Sequence, residues 1–176
     1  EITGAGNITL RNDALVTVSS DNSDTGDQLA HTGNWTIDSG VGNPILTITN
    51  ENALGTGNTA TLSNSGARLV VDTDGTIASN ITMNNTGNEK TLEVLNNHVV
   101  DCTGNLTFNE TSSTGTRNRL EIEDGAVVTI SGTLDADSSG FQIQGGNASS
   151  QLIITNGNSN NQVAGQLFIL DTCRYS

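Results

Sequence analysis

The sequence predicts an all-β repeat protein, a β-solenoid of the β-helix or stacked β-arch kind. Two observations predict it: a short apolar pair and a five-residue motif each recur at a nearly fixed interval along the 176 residues. Apolar residues two apart with a polar residue between them indicate a strand with one buried face. Recurrence at a fixed period indicates turns that bury these faces against one another.

The apolar pair occurs six times, and its first members lie 23 to 32 residues apart. The residue inside the pair is usually polar, as at Thr17, Thr47 and Glu93. We therefore expect about six turns, each adding one pair to a continuous interior stack. The predicted stack consists of Val16, Val18, Leu46, Ile48, Leu69, Val71, Leu92, Val94, Leu120, Ile122, Leu152 and Ile154.

The second motif reads small residue, Asn, apolar, Thr, apolar. It begins at Gly6, Gly33, Ser79 and Gly104, and a degraded copy spans residues 57–62, so that successive starts lie 27, 24, 22 and 25 residues apart. Because the two motifs alternate along the chain, each turn should hold at least two strands. The best internal alignment sets residues 92–106 over residues 120–134, at an offset of 28.

Composition agrees with a strand repeat. Asn, Thr, Gly and Ser make up 84 of the 176 residues, and these residues suit pleated surfaces and tight corners. No stretch of ten residues has a helical period, so we expect almost no helix. The repeat continues without a linker, which predicts one solenoid domain over residues 1–170 and a short tail over residues 171–176.

The charge balance excludes some partners. Six basic residues face 19 acidic ones, giving a net charge of −13, and such a surface repels phosphate, so no nucleic acid is expected. No apolar run is long enough to span a membrane. An acidic surface rich in hydroxyls and amides fits an extracellular or cell-surface protein.

The sequence offers little for catalysis. Neither His31 nor His98 stands in a nucleophile motif, and we interpret both as surface or turn residues. Acidic groups lie beside turns, where Asp is favoured, and are interpreted as solvated turn residues or outward strand residues. We therefore expect no enzyme, no cofactor and no metal site. The acidic groups are Asp21, Asp24 and Asp27; Asp72 and Asp74; and Glu121, Glu123 and Asp124.

Two cysteines, Cys102 and Cys173, form an even count without metal-ligand spacing. In an extracellular protein this favours a disulfide, either within one chain or between subunits. Seven Asn-X-Ser/Thr sequons permit glycans, but so many Ser and Thr residues produce most of these by chance. The sequons lie at Asn7, Asn34, Asn80, Asn84, Asn105, Asn109 and Asn147.

The segments Ile2 to Leu10 and Asn52 to Gly57, with the stretch from Ala60 to Met83, resemble the repeats of autotransporter-type passengers and related prokaryotic surface β-solenoids. The resemblance implies a β-solenoid architecture and a cell-surface setting. It covers residues 1–108 most clearly. The aromatic-girdled strands of an outer-membrane translocator are missing from these 176 residues.

The functional prediction comes from the ends of the repeat. Strand-like sequence begins within ten residues of Glu1 and continues to Leu170 without a helical or polar cap, and uncapped strands are templates for further strands. We expect a structural protein whose partners are copies of itself, assembling into an extracellular sheath, filament or surface layer. The alternative is a passenger fragment of a bacterial adhesin, and a third hypothesis is a carbohydrate-binding or carbohydrate-cleaving β-helix.

Overall fold

The structure is a computed structural model that describes residues 2–23, 30–38, 40–84, 89–109, 118–136 and 141–155, and the backbone of 162–163, 167–170 and 174–175. Within these residues the chain forms nineteen strands and no helix, which confirms the predicted fold class. No described segment is a helix able to cross a membrane. The strands are β1 Ile8–Arg11, β2 Leu15–Val18, β3 Trp35–Asp38, β4 Ile45–Ile48, β5 Thr59–Ser63, β6 Arg68–Val71, β7 Gly75–Ile77, β8 Asn80–Met83, β9 Thr91–Val94, β10 Val99–Cys102, β11 Leu106–Phe108, β12 Arg119–Ile122, β13 Val127–Ile130, β14 Leu134–Ala136, β15 Phe141–Gly145, β16 Gln151–Ile154, β17 Gln162–Val163, β18 Leu167–Leu170 and β19 Arg174–Tyr175.

The strands stack into three parallel sheets that together form a solenoid. The first sheet has the order β1-β3-β5-β8-β11-β14-β17, and the second has the order β2-β4-β6-β9-β12-β15-β18. A third, five-stranded sheet joins from β7 onward, in the order β7-β10-β13-β16-β19. Its last strand, β19, lies within the segment predicted as a tail.

The second sheet carries five of the six apolar pairs. Successive pairs stand opposite one another from Val16 and Val18 on β2 to Leu120 and Ile122 on β12. The sixth pair lies elsewhere: Leu152 and Ile154 belong to β16 in the third sheet. Ile143 of β15 is the residue that stacks on Leu120. An apolar pair therefore predicts a strand with a buried face but does not predict the sheet to which the strand belongs.

The first sheet carries the Asn and Thr motif. Its copies stack in register, with Trp35 opposite Ile8 and Leu106 opposite Ile81. The degraded copy is displaced at its start, because Thr59, and not Asn58, takes the position opposite Asn80. The predicted alignment at an offset of 28 is confirmed in all three sheets.

The inward side chains of the three sheets form one continuous core. The rings of Phe108 and Phe141 stack inside it, with centroids 4.4 Å apart and an angle of 21° between the planes. Trp35 is buried and its indole Nε1 donates to the Leu54 carbonyl at 2.8 Å. The inward side chains are therefore used for packing, and candidate functional groups must be sought among the outward side chains.

Candidate functional site

A cluster of carboxylates and guanidinium groups lies on the outer face of the second sheet. Outward alternation places Glu93 of β9 between Val70 of β6 and Glu121 of β12. Two residues earlier on their strands, Arg68 and Arg119 flank the same line. Stacking thus brings residues from three turns into contact.

The arginines hold the carboxylates in an ion-pair network. Arg68 Nε lies 3.1 Å from Glu93 Oε2, and its Nη2 donates to Glu121 Oε2 at 2.8 Å. Arg119 contacts Glu89, lies 4.0 Å from Glu121 Oε2, and donates to Gln144 Oε1 at 2.7 Å. One guanidinium therefore bridges two strands, and the other extends the network.

Glu93 is the perturbed member of this cluster. Glu93 is 6% exposed, and burial raises the pKa of its carboxyl group to about 7. The Arg68 charge opposes this rise in pKa, whereas a hydrogen bond with Glu123 and the charges of Glu121 and Glu123 add to it. Desolvation outweighs the ion pair because the carboxylate loses most of its water.

Carboxylate oxygens of Glu93, Glu121 and Glu123 lie within 4.8 Å of one another. Such spacing would suit a shared cation, but Arg68 already forms ion pairs with two of them and supplies the positive charge. A proton donor beside a paired carboxylate is also what general acid–base chemistry requires. The sequence interpretation of Glu121 and Glu123 as solvated turn or outward strand residues did not foresee this network.

Two open grooves adjoin the cluster. One, of about 510 Å³, lies at the beginning of the strands and is lined by Ile45, Arg68, Thr91 and Arg119 among others. The other, of about 270 Å³, lies at their ends and is lined by Glu121, Glu123 and Gln144 among others. An extended polar ligand could contact the cluster from either groove.

The other acidic groups stabilise turns. His98 joins two of them, with Nε2 3.1 Å from Asp72 Oδ1 and Nδ1 3.3 Å from Asp74 Oδ1. The backbone N–H of Val99 donates to Asp74 at 2.7 Å. This hydrogen bond and the one between Asp74 and the His98 ring lower the pKa of Asp74. Hydrogen bonds from Ser23 and Asn52 likewise lower the pKa of Asp21. Asp24 and Asp27 lie outside the described residues.

The prediction for His31 was wrong. It is buried, 1% exposed, and its ring meets that of Trp35 edge-on at a centroid distance of 5.4 Å. Within the described part of the chain, neither ring nitrogen has a hydrogen-bond partner. The sequence gives no apolar periodicity around His31, so nothing in it marks the residue as interior.

The predicted disulfide has no support. Cys102 points into the core with a free thiol, and burial raises the pKa of that thiol to about 12. Cys173 lies outside the described residues. A buried thiol with so high a pKa is a poor nucleophile.

The last candidate site is the outer edge of β1 and β2. No strand among the described residues pairs with this edge. Val16 is 38% exposed, whereas Leu46, Leu69 and Leu92, which follow it in the same stack, are at most 1% exposed. Beside it, Leu15 is 74% exposed. The edge therefore combines unpaired backbone with accessible apolar surface.

The chain matches no protein-family model, no curated protein and no solved structure.

Proposed function

We propose that the protein is a structural β-solenoid of the cell exterior that assembles by continuing its stack from one copy to the next. The observation that carries the proposal is the edge of β1 and β2, where the stack is interrupted at the half-covered Val16. A parallel strand placed on this edge would pair its backbone groups and cover Val16.

The opposite face of the stack supplies a suitable partner. Strands β17 and β18 are the terminal members of the first and second sheets, and the sequence of β18 is Leu-Phe-Ile-Leu. If β18 of one copy pairs with β2 of the next, the strand direction is the same as within the chain. Head-to-tail contacts that continue along the stack without closing into a ring generate a filament.

The test compares two valine substitutions in the 176-residue chain. Val16→Asp places a charge at the docking edge, and Val41→Asp places one at a site that is already 96% exposed, between β3 and β4. We expect the unmodified chain and Val41→Asp to form filaments as concentration rises, and Val16→Asp to remain monomeric. Light scattering after size exclusion and electron microscopy measure the outcome.

An unmodified chain that stays monomeric at high concentration would refute assembly. It would instead favour the passenger-fragment alternative, in which neighbouring residues of a longer chain cover the same edge. Equal inhibition by both valine substitutions would also refute the proposed edge, because the loss would then follow added charge alone.

The proposed setting is extracellular, as a sheath, filament or surface layer. The net charge of −13 and the polar outer faces support it, as does the resemblance of residues 1–108 to prokaryotic surface solenoids. A stack of parallel strands resists extension through many backbone hydrogen bonds, which suits a load-bearing surface polymer.

A second candidate function, carbohydrate cleavage, is favoured by the cluster around Glu93. Glu93 can donate a proton near neutral pH while the paired Glu121 accepts hydrogen bonds, and cleavage of glycosidic bonds uses two such carboxyl groups. A reducing-sugar assay on a panel of polysaccharides tests this candidate. Activity that disappears in both Glu93→Gln and Glu121→Gln would support it, and no activity on any polysaccharide would reject it.

A further inference from the structure

The outer face of the first sheet carries an ordered array that the proposed assembly leaves unused. On five successive strands, the middle outward position is a threonine, and each threonine stands opposite the next. Their sequence neighbours, such as Ile37 and Leu62, point into the core. We call this line the threonine rank: Thr9, Thr36, Thr61, Thr82 and Thr107.

A second line, the asparagine rank, runs beside it, two residues earlier on each strand. Its members are held in place by hydrogen bonds from one turn to the next. Asn34 N–H donates to Asn7 Oδ1 at 2.9 Å, and Thr59 N–H donates to Asn34 Oδ1 at 3.0 Å. Asn105 N–H donates to Asn80 Oδ1 at 2.9 Å. The asparagine rank consists of Asn7, Asn34, Thr59, Asn80 and Asn105.

Together the two ranks form a regular grid. Neighbouring strands are about 4.8 Å apart, and outward residues on one strand are about 6.6 Å apart. Threonine is stiff at χ1, and the asparagines are fixed by their ladder bonds, so the grid is preorganised. Neither rank contains a charged residue over these five strands. Charged residues border the grid: Asp135 stands opposite Thr107 on the next strand, and Arg11 and Asp38 lie two residues after Thr9 and Thr36.

We propose that this face binds ice. Hydroxyl and amide groups on a fixed grid can each hold a water molecule, and the threonine methyl groups restrict the orientation of the water beside them. Because neighbouring strands are about 4.8 Å apart, the array holds these waters at a regular repeat along the stack. Water held by the array can therefore join the crystal lattice, whereas charged groups would disrupt that order.

The uninterrupted line of threonines distinguishes the outer face of the first sheet from the outer faces of the other described sheets. On the second sheet the corresponding outward line reads Thr17, Thr47, Val70, Glu93 and Glu121, so threonine is interrupted by an apolar and then by acidic residues. Only the first sheet keeps one neutral hydrogen-bonding residue type over five described strands.

The test measures thermal hysteresis and ice-crystal shape with the 176-residue chain. We expect the unmodified protein to separate melting from freezing and to form faceted crystals. Thr61→Tyr, which places a ring at the centre of the threonine rank, should abolish most of the hysteresis. Thr47→Tyr, the same change on the second sheet, is the matched control and should leave the hysteresis unchanged.

Far-ultraviolet circular dichroism of each variant verifies that the strands are retained. Should Thr61→Tyr fail to fold, Thr9→Tyr repeats the test at the exposed end of the rank, where a ring has room, with a partial loss expected. Absence of hysteresis and crystal shaping in the unmodified protein overturns the proposal, as does equal loss in Thr47→Tyr. Binding to powdered cellulose or chitin without any effect on ice overturns it as well.

Discussion

At the scale of single residues, the protonation of Glu93 gives the protein a specific pH dependence. Its folded-state pKa of about 7 exceeds the ordinary 4.5, so between these values the folded protein keeps a proton that the unfolded chain releases. The stability that this group contributes is therefore complete below pH 4.5, falls as pH rises towards 7, and then stays constant. Each unit of pKa difference corresponds to about 1.4 kcal/mol.

Glu93→Gln removes this titration. We expect the free energy of unfolding of the variant, relative to the unmodified protein, to rise across that pH interval, as measured by urea unfolding at several pH values. Glu121→Gln is the comparison variant. It removes the carboxylate that pairs with Arg68, so it should lower the free energy of unfolding at every pH above about 7. A constant difference between Glu93→Gln and the unmodified protein would contradict the buried-acid interpretation.

The second residue-scale prediction concerns His31. Its imidazole is buried without a hydrogen-bond partner in the described structure, so His31→Leu loses no such bond and removes a desolvated polar group. We expect the stability to stay the same or to rise by up to about 1 kcal/mol. Trp35→Leu should instead cost at least about 2 kcal/mol, because it leaves a cavity and removes the bond to Leu54. Thermal unfolding of both variants measures the difference.

At the scale of strands and corners, the structure explains why the second motif begins with a small residue. A methyl group built on Gly104 would overlap the Ser79 carbonyl oxygen of the preceding turn, and one on Gly33 would overlap Gly6. We expect Gly104→Ala to cost about 1–3 kcal/mol through this overlap. Gly6→Ala is the matched control, since nothing lies within 4 Å of the added methyl group. Equal stabilities in urea unfolding would contradict the steric explanation.

The same scale shows how much of the fold could be predicted. Strand alternation and the offset of 28 depend on local sequence, and both appear in the structure. The displacement at Thr59 could not be read from the motif, because Asn58 turns inward to donate to the Leu54 carbonyl. The sequence also could not predict that Leu152 lies in the third sheet, because this depends on which strand of the turn belongs to which sheet.

The candidate sites were less predictable than the strands. Glu93 and Arg68 are 25 residues apart in sequence and meet because their strands stack in register. Sequence alternation identifies both as outward residues but cannot tell that their contact buries the carboxylate. The threonine rank was visible as a repeated Thr within the motif, and only the register shows that the residues form one line.

At the scale of the whole molecule, stability depends on position along the stack, because each turn contacts only its neighbours. Leu92 and Val16 occupy equivalent places in the second sheet, but Leu92 lies between Leu69 and Leu120 and is 1% exposed, whereas among the described strands Val16 has a neighbour on one side only. The cost of a buried charge should differ accordingly.

We expect Leu92→Asp to lower the free energy of unfolding by more than about 3 kcal/mol, since the carboxylate would be buried in the core without a partner. Val16→Asp, in which solvent reaches the new carboxylate, should cost about 1 kcal/mol or less. Urea unfolding followed by circular dichroism, at concentrations where the chain is monomeric, measures both variants. Similar losses would mean that the edge of β2 is as well covered as the middle of the stack, and that result would remove the physical basis for assembly at this edge.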